Sequence, residues 1–87
     1  MSKSSKLLAR LLSKAPGLEW AEAVTVMKAH GFAVINRDGS GRVFRHASTG
    51  IKVLLHEPHP QNTLKPYMFD ALINGLKNAG EIKNESD

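Results

Sequence analysis

An α+β domain with the order helix, helix, three strands, helix is predicted for this chain of 87 residues. Three observations predict it. Apolar residues recur at helical spacing as far as His30. At Gly31 the pattern changes to short, β-branched runs separated by turn residues. Pro66 then opens a last stretch of helical spacing. A chain of this length builds one domain around one small core, so a function must sit on its surface or in a shallow groove.

The first helix is predicted over residues 4–14, where Leu7, Leu8, Leu11 and Leu12 form an apolar face and Lys6, Arg10 and Lys14 fall on the other side. Pro16-Gly17 breaks it. A second helix fits residues 19–30, with Trp20, Val24 and Met27 on one stripe and Gly31 in place for a left-handed cap. That makes His30 a structural, helix-end residue. Phe32–Asn36 is the first strand, followed by the turn pair Asp38-Gly39. Arg42–His46 is the second, and Ile51–His56 the third, with Ile51, Val53 and Leu55 on one face. Arg42 and Arg45 must point to opposite faces of the sheet. Which of them faces away from the helices depends on whether Val43 or Phe44 enters the core, and the sequence leaves that open.

An extended loop through Pro58, Pro60 and Asn62 leads to the final helix. Met68, Leu72, Gly75 or Leu76, and Ala79 supply its buried stripe, and Gly80 ends it. Helices pack on one face of the three-stranded antiparallel sheet, leaving the other face for a partner or for the function. The domain is expected to span residues 1–80, with residues 81–87 as a flexible acidic tail.

Composition narrows the function. The chain has no cysteine, which excludes disulfides and thiolate chemistry and leaves only histidine and carboxylate for any metal site. It has no apolar run long enough to span a membrane and no secretory leader pattern, so a cytoplasmic protein without a membrane partner is expected. The net charge is +4 and the pI about 9.7. The last seven residues carry −2, leaving +6 on residues 1–80. Such a surface attracts phosphate backbones.

The candidate chemistry lies between Gly39 and Pro66, which hold three of the four histidines. Cutting RNA without a metal needs a base for the 2′-hydroxyl proton, an acid for the leaving 5′-oxygen, and positive charge around the phosphorane. Histidines with Arg or Lys supply all three. His59, between Pro58 and Pro60 on a stiffened loop, is the best-placed proton-transfer group. His56 and His46, at the ends of the third and second strands, are further candidates, and Arg42 is the candidate phosphate-steadying cation. His56 and His59 form an H-x-x-H pair, but outside a helix this spacing does not set both rings on one metal, so no metal site is predicted. Ser40 and Gly41 in the hairpin turn, Arg45 and Lys52 on the strands, and Lys65 at the start of the last helix are the candidate RNA contacts.

Trp20 with its apolar helix, Gly31-Phe32, Gly39-Ser40 before the second strand, Pro58-His59-Pro60 and Leu64-Lys65-Pro66 together resemble the HicA family of type II toxins over about residues 18–80. The resemblance implies a fold like the double-stranded-RNA-binding domain, α-β-β-β-α, with the first helix as an added element. It also implies a stress-response toxin that arrests translation by cleaving mRNA, needs no cofactor, and is neutralised by a HicB-type antitoxin. Family members commonly carry a catalytic histidine at the start of the second strand, as Gly-Ser-His or one step later. Gly41 and Arg42 stand there in this chain. Arginine is no base near neutral pH, so proton transfer must come from another histidine, or the protein is an RNA-binding or antitoxin-binding module of the same fold.

Overall fold

The computed structural model describes residues 3–83. It comprises α1 (Lys3–Leu12), α2 (Trp20–Ala29), β1 (Phe32–Asn36), β2 (Gly41–His46), β3 (Lys52–His56) and α3 (Pro66–Asn78). The strands form one antiparallel sheet in the order β1-β2-β3. The predicted α+β class and element order are therefore those of the molecule.

Helix α1 stops two residues earlier than its leucine pattern suggests. Lys14 adopts a left-handed backbone with φ 56°, and the Ala15 N–H donates to the Arg10 carbonyl at 3.0 Å, closing the helix end. Leu7 and Leu11 are buried while Leu12 is exposed. Ion pairs from Arg10 to Glu22 (3.3 Å) and Lys14 to Asp70 (2.6 Å) run from α1 and its C-terminal turn to the other two helices.

Helix α2 begins where the Glu19 N–H donates to the Glu22 side chain at 3.0 Å, the reciprocal half of a capping box. Gly31, with φ 87°, ends it as expected. Trp20, Ala23, Val26 and Met27 are its buried face, and the Trp20 ring meets Phe44 of β2 edge-on at 5.3 Å between centroids.

Register decides which side chains share a face. Val34 stands opposite Phe44, and Phe44 opposite Val53, so these point toward the helices and join Phe32, Leu55, Met68 and Leu72 in the core. This settles the alternative left open above. Phe44 enters the core, Arg42 and His46 lie on the helix side, and Arg45 lies on the open face. Val43 is also buried, yet on the opposite side from that core cluster.

Helix α3 sits over β3 through Gly75. A Cβ there would overlap Cγ2 of Val53, so only glycine permits this close approach. Gly75 and Leu76 are both buried.

The chain after α3 departs from expectation. Glu81, assigned from sequence to a flexible tail, accepts hydrogen bonds from His46 and His30, and Ile82 packs partly against the core. Residues 84–87 of that predicted tail lie outside the described residues. No helix among the described residues is long and apolar enough to cross a membrane.

Candidate functional site

The histidines are sorted by the sheet into two groups. His46 pairs with Phe32 at one end of β2, whereas Gly41 pairs with His56 at the other. Five residues of extended strand separate the two ends, about 17 Å at a rise of roughly 3.3 Å per residue. His46 therefore cannot act on the same phosphate as His56.

His46 is instead a joint of the fold. It is 3 % exposed, and its ring lies edge-on to Phe32 at 4.9 Å. The Thr49 N–H donates to its Nδ1 at 3.2 Å, which leaves the ring proton on Nε2, 2.9 Å from the Glu81 carboxylate. His30 Nδ1 lies 3.2 Å from the other Glu81 oxygen. The two hydrogen bonds, from His46 first and then His30, hold the Glu81 carboxyl below the usual carboxylate range against an opposing desolvation. One carboxylate thus fastens the end of α3 to β2 and to the C-terminus of α2.

The opposite end of the sheet is open and chemically richer. The turn after β1 is closed by Arg37 N–H to the Gly41 carbonyl (2.8 Å) and Gly41 N–H to the Asp38 carbonyl (3.2 Å). The Glu57 N–H donates to the Ser40 carbonyl at 2.8 Å, tying this turn to the end of β3. His56 stands directly across from Gly41. The atoms nearest to where a Gly41 Cβ would lie are Arg37 Cβ (3.2 Å) and the Asp38 carbonyl oxygen (3.3 Å), with His56 Cε1 at 3.9 Å. Ser40 Oγ is 3.3 Å from His56 Nδ1. A serine hydroxyl both donates and accepts, so it can keep this contact with either tautomer. Arg37, Gly41, Val43, Leu54 and His56 line a cleft of about 260 Å³.

Arg42, the expected phosphate-steadying cation, is largely engaged. Its Nη1 donates to the Gly39 carbonyl (3.1 Å) and the Gly41 carbonyl (2.8 Å), and its Nη2 pairs with Glu57 at 3.2 Å. It braces the turn that carries Ser40. Arg37 is the exposed cation of this cleft, and sequence reasoning passed over it. The signal was its position just beyond β1, continuing the face of Ala33 and Ile35 at a period of two.

His59 is exposed on the loop that follows, next to a buried Pro58. Two backbone hydrogen bonds fix the far end of that loop against the entry to α2, from Trp20 N–H to the Asn62 carbonyl (2.7 Å) and from Leu64 N–H to the Leu18 carbonyl (2.8 Å). His59 and Lys65 line a second groove of about 310 Å³, together with Leu64 and Pro66. His59 follows His56 by three residues, so their Cα atoms lie within about 10 Å of each other. Lys65 occupies the N-cap position of α3. Arg45 and Lys52 pair with each other across β2 and β3 near the His46 end of the open face. Of the sequence-predicted residues, Ser40, Gly41, Arg42 and His56 are thus together, His59 and Lys65 share a separate groove, and His46, Arg45 and Lys52 are elsewhere. Among the described residues, no group of three His, Cys, Asp or Glu side chains is arranged to hold a metal ion.

No curated protein and no solved structure matches the chain. The profile of the family described as "HicA toxin of bacterial toxin-antitoxin" matches residues 20–81, from the first residue of α2 to Glu81, and leaves residues 1–19, with α1, and residues 82–87 outside. With most of its length accounted for by that profile, and with the α-β-β-β-α arrangement in the matched region, the chain belongs to the HicA family of toxins of bacterial toxin–antitoxin systems.

Proposed function

We propose that the protein is an endoribonuclease toxin that cleaves mRNA in the cytoplasm by acid and base catalysis, with no cofactor, and is silenced by a HicB-type antitoxin. The observation that carries this reading is the placement of His56 beside Gly41. Where the resemblance calls for a histidine on the second strand, this chain has a glycine, and a histidine stands directly across from it on the neighbouring strand. The proton-transfer group has moved across one strand pair while staying at the same end of the sheet.

In this reading His56 and His59 exchange protons with the 2′-hydroxyl and the 5′-leaving oxygen. Arg37 and Lys65 draw the phosphodiester into the clefts, and Arg42 acts indirectly by bracing the turn of Ser40 and Gly41. A positioned proton-transfer group contributes on the order of 10²–10⁴ in rate, which suffices for a detectable single-residue effect.

The test is cleavage of a labelled structured RNA in excess EDTA by the parent protein, His56→Ala and His59→Ala, each checked for folding by circular dichroism. Cleavage by the parent that drops about 10²-fold or more in His56→Ala supports the reading. Undiminished cleavage by a folded His56→Ala protein removes His56 from the mechanism. The engagement of Arg42 by Glu57 at the strand start favours a second reading, a non-catalytic RNA-binding module, and salt-dependent RNA binding without cleavage by the parent would establish it.

A further inference from the structure

The open face of the sheet carries an apolar row with a basic flank, and this row lies outside the core cluster. Ile35, Val43 and Leu54 stand in register across all three strands. Leu54 is 70 % exposed and Ile35 43 %, with the buried Val43 between them. The next row in register is Ala33, Arg45 and Lys52.

Arg45 and Lys52 are directly opposed like charges, an arrangement that costs stability in a sheet. Neither is paired with a carboxylate among the described residues. The strands themselves contain no Asp or Glu: their sequences are FAVIN, GRVFRH and KVLLH. The exposed leucine and isoleucine and the uncompensated cations are thus both unfavourable in the isolated protein, and one occupant relieves both.

We propose that this face is a protein-docking surface for an acidic segment of the antitoxin, with apolar side chains seated on Ile35, Val43 and Leu54 and carboxylates set against Arg45 and Lys52. The apolar row distinguishes this occupant from RNA, because phosphate gains nothing from Leu54 and Ile35, and no aromatic side chain lies in the row for a base to stack upon. Val43 and Leu54 also line the cleft that holds His56. A segment lying along the row therefore abuts the cleft and closes its side. The inference rests on the family's partnership with antitoxins and is independent of RNA cleavage.

The experiment is binding of the full chain to its separately purified cognate antitoxin, and in parallel to a structured RNA, for the parent, Leu54→Ser and the double variant Arg45→Glu/Lys52→Glu. All three altered side chains are exposed, so both variants should fold, as circular dichroism will verify. The expected result is antitoxin affinity reduced about tenfold or more in each variant, as for a central anchor and its charged rim. Unchanged antitoxin affinity in both variants would overturn the proposal, as would failure of the parent to bind the antitoxin at all. RNA affinity lost in Leu54→Ser with antitoxin binding retained would make the face an RNA platform instead. A parent dimer dissolved by Leu54→Ser, seen by sedimentation, would assign the row to a second copy of the chain and likewise overturn it.

Discussion

Gly75→Ala is the sharpest test of how α3 is seated on the sheet. On an exposed helix the substitution would stabilise the protein by about 0.8–1.0 kcal/mol, because alanine is the better helix former. Here the new methyl group would fall well inside ordinary carbon–carbon contact of about 3.5 Å with Val53 Cγ2. Val53 is buried and β-branched, and so has few rotamers with which to move away. Forcing an extra carbon into a packed core costs about 1–3 kcal/mol. The overlap offsets the propensity gain, and a net loss of up to about 2 kcal/mol is expected, read as a fall in Tm of about 4–8 °C per kcal/mol for a domain of this size. A double-mutant cycle with Val53→Ala isolates the contact. Val53→Ala alone should cost about 2 kcal/mol through its cavity. In that background the alanine at position 75 fills space rather than overlapping, so the two effects should couple by about 1 kcal/mol or more in the restoring direction. Urea titrations of the four proteins give these values. A stabilised Gly75→Ala protein, or two strictly additive changes, would refute the seating of α3 through Gly75.

The other predictions concern the two ends of the sheet. Glu81→Gln should lower stability at neutral pH by loosening His46 and His30. The Glu81 carboxyl is held below its ordinary value of 4.5 in the folded protein, so its contribution is full above that pH and is lost as pH falls through the lower folded-state value. Urea midpoints of parent and variant should therefore differ at pH 7 and converge as the pH falls below 4.5. A gap of constant size would show that Glu81 acts by packing alone. His46→Ala should cost about 2 kcal/mol or more, since it empties a buried site and leaves the Thr49 N–H without its partner, yet it should spare cleavage in preparations kept folded at low temperature. Ser40→Ala should leave the melting temperature within about 2 °C and shift the 15N chemical shifts of the His56 ring, because the hydroxyl touches Nδ1 and little else; unaltered shifts would remove Ser40 from that role. Arg42→Ala should destabilise the β1–β2 turn by about 1–3 kcal/mol through the loss of two carbonyl contacts and the Glu57 pair, measured by thermal melting.

Local regularities made most of the fold legible from sequence. The leucine spacing of α1, the glycine after α2, the alternation in β3 and the proline at the start of α3 each act within a few residues, and each marks an element that forms, although α1 ends two residues early. The family resemblance followed from the order of short motifs along the chain, and the match to residues 20–81 bears it out. What the sequence left open depended on contacts between distant residues. Val43 and Phe44 are both apolar neighbours, and only the pairing of Phe44 with Val34 and Val53 shows which of them turns Arg45 outward. Glu81 reads as one more acid in a polar tail, and only the meeting of the ends of α2, β2 and α3 gives it two histidine partners. His46 and His56 look equivalent as strand-end histidines. The antiparallel register sends them to opposite ends of the sheet, burying one beside Glu81 and setting the other beside Gly41 in an open cleft, because strand direction reverses at a hairpin and residue type does not encode which end is filled.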